Sequence, residues 1–297
     1  MSMDARSAGV SDLSRAYLAS FSAGDFHVYM HGRKVRIEAS TTHPAQIELV
    51  SSVFERHAHR IMYPIRTPHG FGWRMVYDVG KEFVFLLDSR SLTYEALGKS
   101  RTFYFAISGL IDSEGHIGVT SDSEYPTPII IISNSDLYLI CLVLRLLEQR
   151  GYRASIQTKT FKDGTKCHEL RLGGRSAIRL LKRVHIHHRE KREALEIILA
   201  NQNDLPRARW EYLKLRKRIR EERDACAESA KIAFQNRGER KLQKRFAYEE
   251  ISKSAKSMHE QGLRISKIAI ALGKSERTIY RYLGRRLDGE GTSPEAQ

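Results

Sequence analysis

The 297-residue chain is long enough for two or three domains, and 41% hydrophobic residues with 13 Tyr and 11 Phe is the composition of a folded protein. A formal net charge of +15 points to a polyanionic partner, nucleic acid first, while the scattered Cys141, Cys167 and Cys226 favour a reducing compartment over a disulfide framework. The longest apolar run, residues 137–147, is too short for a bilayer and is broken by Arg145, and residues 1–14 lack the apolar stretch of a secretory signal, so no membrane association and an intracellular, cytoplasmic or nucleoid location (an organellar host included) are expected.

In chain order, residues 15–25 predict a helix. Residues 26–30 and 34–39 alternate apolar and polar around the turn His31-Gly32-Arg33, with Val28, Met30, Val35 and Ile37 on one face. Residues 44–57 carry Ile47, Val50, Val53 and Phe54 at helical spacing, residues 59–65 and 72–79 suggest a second strand pair around Thr67-Pro68-His69-Gly70, and 82–97 reads as helix and connector. The order then repeats. Residues 103–114 form a helix, 116–120 and 129–133 strands around the loop 121–128, and 136–149 an apolar helix ended by Gly151. Residues 153–161 and 167–172 form a hairpin, and 176–199 carries one or two helices. Two αββαββ units of roughly 90 residues are therefore expected, spanning 14–100 and 101–200. Residues 201–250 read as a basic helical linker, with a charged helix at 210–222, and 251–287 regains apolar periodicity. Net charge climbs along the chain, from +2 in residues 1–100 and +4 in 101–200 to +9 in 201–297.

The stretch Phe105-Ala106-Ile107-Ser108-Gly109-Leu110-Ile111-Asp112-Ser113-Glu114-Gly115 ends an apolar helix on an acid and a glycine, and Leu18-Ala19-Ser20-Phe21-Ser22-Ala23-Gly24-Asp25 echoes it 89 positions upstream. Ser20 and Gly24 align with Gly109 and Ser113, small residues four apart on one face, so the two helices can approach closely. Asp25 and Glu114 end their helices against an unfavourable dipole, which a divalent cation such as Mg²⁺ would offset.

The second stretch closely resembles the LAGLIDADG motif of homing endonucleases, and Leu18–Phe26 looks like a diverged first copy; the resemblance covers about residues 14–200 as a single-chain, two-repeat member. It implies an α+β fold of two pseudo-symmetric αββαββα repeats with paired motif helices at the interface, monomeric in its internal two-fold symmetry, whose sheets lie in successive major grooves of double-stranded DNA. It further implies that Asp25 and Glu114 bind Mg²⁺ or another divalent cation and cut one strand each by metal-dependent hydrolysis at a long recognition site, in the service of intron or mobile-element homing. In place of the motif's earlier Asp, chiefly structural in the family, the first copy has Ala23; Phe26 replaces the final Gly, so the exit into the first strand needs another geometry; and Glu stands for Asp at 114. The family also has a basic residue late in each half. Lys191 matches in the second, with Arg189 as alternative, and Lys81 in the first; Lys191 and Arg192 equally fit the polar face of a helix.

Groove-tracking sheet faces should carry long polar side chains. Arg33, Lys34, Arg36 and Arg74 fit in the first half, and Arg153, Gln157, Lys159, Lys162, Lys166 and Arg171 in the second. His185, His187 and His188 lack partners at metal-site spacing and read as a surface helix or loop. Residues 263–283 resemble a helix-turn-helix, a small all-α DNA-binding domain over 251–287. Ser266 and Ser275 would cap its helices, Gly273 makes the turn, and Ile268, Ala269, Leu272, Ile279 and Leu283 pack inward. Glu276, Arg277, Thr278 and Arg281 then face out, with Lys274, Arg285 and Arg286 adding backbone affinity. A non-cleaving transcription regulator is one rival reading, since certain sporulation regulators join a degenerate LAGLIDADG part to a helix-turn-helix; an intron RNA maturase is the other.

Overall fold

The computed structural model describes residues 11–68, 70–120 and 124–284, with Asp25 described by its backbone alone. His69, part of the loop 121–128, and the basic pair Arg285 and Arg286 lie outside the described residues. The chain divides into two compact units, residues 1–231 and 232–297.

In the first unit, α1 (Asp12–Asp25) leads into the strands β1 (Phe26–His31) and β2 (Lys34–Thr41), α2 (Pro44–Phe54), and the strands β3 (Arg60–Thr67) and β4 (Gly70–Val79). A 3₁₀ run, Lys81–Asp88, and α3 (Ser89–Gly98) connect to the second copy: α4 (Phe103–Glu114), β5 (Gly115–Val119), β6 (Pro128–Asn134), α5 (Leu137–Gln149), β7 (Ala154–Thr160) and β8 (Lys166–Gly173). Helices α6 (Gly174–Leu181) and α7 (Arg189–Ala200) follow. Each copy builds one antiparallel sheet, ordered β1-β2-β4-β3 and β5-β6-β8-β7. The sequence repeat is therefore a repeat of topology, two αββαββ halves each followed by helix.

Alternation sets each sheet's inner face. Val35, Ile37 and Ala39 of β2 pair with Val79, Tyr77 and Met75 of β4, and all six are buried. Ile130 and Ile132 pair with Leu172 and Leu170 in the second sheet in the same way. Leu49, Val50 and Phe54 of α2 close the first core, and Ile140, Val143 and Leu147 of α5 the second. One turn needs glycine for its torsion: Gly32, at φ +62°, joins β1 to β2. Phe26 needs no special exit geometry. It is extended at φ −110°, ψ 140°, in the same broad region as Gly115 at φ −92°, ψ 159°, and its ring packs on Phe21 and Phe54 at 4.8 and 5.7 Å between centroids. Gly115 is small for a steric reason, since a Cβ there would lie 2.6 Å from the Ile111 Cα.

Residues 205–260 form one helix, α8 (Leu205–Glu260), within which the boundary between the units falls. The stretch read as a linker, 201–250, is thus helical from Leu205 onward. It holds no proline past the first turn, and pairs such as Arg207–Glu211, Lys217–Glu221 and Arg245–Glu249 sit at i,i+4. In the second unit, α9 (Ile265–Leu272) and α10 (Glu276–Tyr282) pack with the end of α8 around Ala255, Ile268, Ala269, Ile279 and Tyr282. Gly273 takes the left-handed conformation at φ 60° that ends α9, and the Ser275 hydroxyl accepts the Thr278 N–H to cap α10. Ser266 caps nothing: Arg264 holds the N-cap position, and Ser266 is already inside the first turn. No helix among the described residues is long and apolar enough to cross a membrane.

Candidate active site

Helices α1 and α4 cross at the small residues. A Cβ on Gly109 would lie 2.3 Å from the Tyr17 carbonyl oxygen and 2.9 Å from the Phe21 nitrogen, so only hydrogen fits there. One turn further on, a Cβ on Gly24 would lie 2.7 Å from Glu114 Cγ and 2.8 Å from Ser113 Oγ. The C-terminal end of α1, where the chain reaches Asp25, is therefore against the Glu114 side chain. Phe21 and Leu18 fill the first core, Ile107 and Leu110 the second.

The polar residues of α4 secure a distant segment. Asp112, fully buried, accepts the Tyr17 hydroxyl on Oδ2 at 2.8 Å, the His187 N–H on Oδ2 at 2.7 Å and the His188 N–H on Oδ1 at 3.2 Å. One turn earlier, Ser108 Oγ accepts the His185 N–H at 2.8 Å. Burial raises the Asp112 pKa although these bonds oppose it. This stitching corrects the surface reading for His188 alone; His185 and His187 lie in an exposed loop as expected. His188 is 3% exposed, and its Nδ1 has no partner. Burial above all, then the charges of Lys191, His43 and Arg189, lower its pKa to about 2, so the imidazole is neutral.

That segment starts α7 and delivers Lys191 to the end of α4. Its ammonium donates to the carbonyls of Ile111, Asp112 and Ser113 at 2.8, 2.7 and 3.2 Å. A cation of the chain itself thus meets the helix dipole beside Glu114, where the sequence alone suggests a metal ion. Arg189, the alternative, is engaged elsewhere, bonding Glu48 on α2 at 2.9 Å and Glu222 on α8 at 2.7 Å. Lys81 is exposed at the start of the 3₁₀ run and lines no part of the cleft described next.

Glu114, His188, Glu190 and Lys191 line a cleft of about 1000 Å³, together with His43 and Gln46 of the first half and one side of α8. His43 Nδ1 lies 3.6 Å from Glu190 Oε2, joining the halves, while Glu190 Oε1 is buried without a partner. Among the described residues, no three metal-ligating side chains converge. His43, Gln46 and Glu190 escaped sequence reasoning because each is a single polar residue without a periodic signal.

The groove residues divide in two. Arg33, Lys34, Lys162 and Lys166 are exposed at turn tips. Arg36, Arg74, Lys159 and Arg171 instead meet acids of their own sheets. Arg36 forks onto Asp78 at 2.7 and 2.8 Å and holds the Asp78 carboxyl below its usual pKa. Arg74 donates to Ser40 Oγ at 3.2 Å and lies 3.9 Å from Glu38. Lys159 and Arg171 converge on Glu169 at 2.5 and 2.7 Å. Arg153 and Gln157 are exposed. In the second unit Lys274, Arg277 and Arg281 are exposed, while the Thr278 hydroxyl lies 2.8 Å from that of Ser275.

Residues 105–185 match the family model of the LAGLIDADG-like domain. No curated protein sequence matches the chain. Among solved structures, it resembles I-DmoI in complex with DNA and Mn (16% identity, TM-score 0.40, 58% of this chain and 96% of that one). It also resembles I-WcaI bound to its DNA recognition sequence (12%, 0.45, 64% and 89%) and the LAGLIDADG homing endonuclease I-GzeII in complex with a DNA target (10%, 0.39, 68% and 96%). Residues 105–185, which hold most of the motif helix, the acid at its end and the whole of the second sheet, are thus similar to the LAGLIDADG-like domain.

Proposed function

We propose that the protein is a metal-dependent, site-specific endonuclease of double-stranded DNA, acting within the cell as a monomer whose two halves face the two strands, in intron or mobile-element homing. The observation that carries this reading is the end-to-end meeting of the motif helices, with Gly24, next to Asp25, against Glu114. Carboxylate oxygens suit Mg²⁺, and the Glu114 cleft with its unpaired Glu190 oxygen has that donor chemistry. Asp25 and Glu114 would hold the ion, which when bound supplies an activated water and neutralises phosphate charge.

The residues of the chain do the rest. Lys191 keeps the end of α4 wound and presents positive charge beside Glu114, where a phosphate would bring negative charge. Asp112 and Ser108 hold the backbone of residues 185–188, and so the start of α7, in position. Arg33, Lys34, Lys162 and Lys166 supply phosphate contacts from the turn tips. Arg36, Arg74, Lys159 and Arg171, oriented by their acids, contribute to reading the grooves. The second unit adds a helix-turn-helix contact through Lys274, Arg277, Thr278 and Arg281.

Cut sites can be selected from a library of randomised duplexes with Mg²⁺. The wild-type chain is expected to cut both strands, and Asp25→Asn or Glu114→Gln to lose more than about 100-fold in rate while still binding. Binding without cutting by the wild-type chain would leave the regulator reading, which the exposed cations of α9 and α10 also suit.

A further inference from the structure

One side of α8 lines the cleft that holds Glu114. We propose that this stretch of α8 is a fixed phosphate-binding wall of the cleft, with Arg216, Arg220 and Arg223 as its contacts to duplex DNA. The proposal rests on the DNA-binding part of the function proposed above.

The wall is anchored. Ala208, Tyr212 and Leu215 are 0%, 4% and 5% exposed and belong to the second repeat's core. The Tyr212 hydroxyl lies 3.1 Å from His116 Nε2, and a Cβ on Gly118 would lie 2.5 Å from it. Tyr212 thus covers the outer face of β5 at His116 and Gly118. Arg189 ties α8 to α2 through Glu222 and Glu48, and Arg218 bonds Glu193 of α7. A helix held by buried side chains on one turn and ion pairs on the next behaves as part of the unit and not as a movable lid. DNA approaching here meets α8 in place of the start of β5.

The chemistry of the wall differs from that of the rest of the helix. Tyr212, Arg216, Arg220, Arg223 and Ala227 recur at three- and four-residue spacing, so they share one face. Elsewhere in this stretch cations are matched by acids, as in Arg207–Glu211, Lys217–Glu221 and Arg218–Glu222. Arg216, Arg220 and Arg223 are exposed, and among the described residues they make no hydrogen bond or ion pair. Two acids share the wall, Asp224 and Glu228, and Glu228 is met by Lys231 at 3.1 Å. A row of unpaired guanidinium forks across a cleft from a carboxylate is suited to the phosphates of a strand held over that carboxylate.

The test uses the full chain and a mixed-sequence DNA duplex in Ca²⁺, with binding read by fluorescence anisotropy over a KCl series. The variant Arg216→Gln/Arg220→Gln/Arg223→Gln is compared with a control that removes three cations from the other sides of the same helix, Arg207→Gln/Lys214→Gln/Lys217→Gln. All six side chains are exposed, and unchanged thermal melts verify the fold. The cleft variant is expected to lower the slope of log K against log salt by about 2–3, as for three lost phosphate contacts, and the control by less than about 1. Equal slopes for the two variants, tighter binding by the cleft variant, or a preference of the wild-type chain for duplex RNA that the cleft variant abolishes would each overturn the proposal. Its failure is separable from that of the nuclease reading: cutting with an unchanged slope removes the wall alone, whereas a lowered slope without cutting keeps the wall and removes the nuclease.

Discussion

His188 shows how much one side chain can owe to contacts remote in sequence. Its backbone is fixed by Asp112, and its ring is enclosed near the cationic Lys191 and Arg189, so protonation is opposed both by burial and by like charge. In the unfolded chain a histidine titrates near 6.5, in the fold at about 2. As pH falls through that window, the unfolded state takes up the proton first. The stabilising effect is complete above the unfolded value and is lost toward acid, at a slope approaching about 1.4 kcal/mol per pH unit. Urea melts at pH 6.5 and 5.5 should therefore show the wild type losing about 1 kcal/mol more than His188→Gln. Equal losses would mean that the ring is protonated or solvated in the fold. Lys191 teaches a related lesson. Its charge and its place late in the repeat were legible, but its three bonds to the end of α4 were not, because nothing local in the sequence marks which carbonyls a flexible ammonium will reach.

At the scale of elements, the crossing of α1 and α4 separates two kinds of small residue. At Gly109 the obstacle is backbone, the Tyr17 carbonyl, which can yield only if the helices part. Gly109→Ala should cost about 1–3 kcal/mol in urea melts. At Gly24 the obstacles are side chains, Glu114 and the Ser113 hydroxyl, which can rotate away. Gly24→Ala should cost less than about 1 kcal/mol and, under the nuclease function proposed above, cut the cleavage rate sharply by displacing the acid. If Gly24→Ala is the more destabilising of the two, the packing at the crossing is misassigned. The strands and helices of both halves were legible almost to their ends, since periods of two and 3.6 show which residues face a core. The paired acids Asp78, Glu38 and Glu169 were missed. Alternation places them on the outer face with the arginines but does not say that neighbouring strands bring them together.

At the scale of the whole molecule, the buried clusters respect the division into units. The two large cores end by Leu215, and the small one begins at Ala255. A fragment of residues 1–231 should therefore melt within about 3 °C of the main transition of the full chain. It should also bind duplex DNA with a shallower salt dependence, if the second unit contacts phosphates. A fragment that fails to fold would show that residues 232–297 support the first unit.

By itself the sequence determined the two αββαββ halves, the twin helices ending in Asp25 and Glu114, the Gly273 turn between the last two helices and the Ser275 cap of the second. Each of these rests on short-range periodicity, on a local cap, or on comparison of one half with the other. The tertiary structure alone decided that Asp112 holds a segment 75 residues away, that Lys191 closes the helix carrying Glu114, that His188 is buried, and that α8 walls the cleft. Each of these is a contact between polar or single residues far apart in the chain. No period announces such a contact, and it exists only once two cores have packed and brought the surfaces between them face to face.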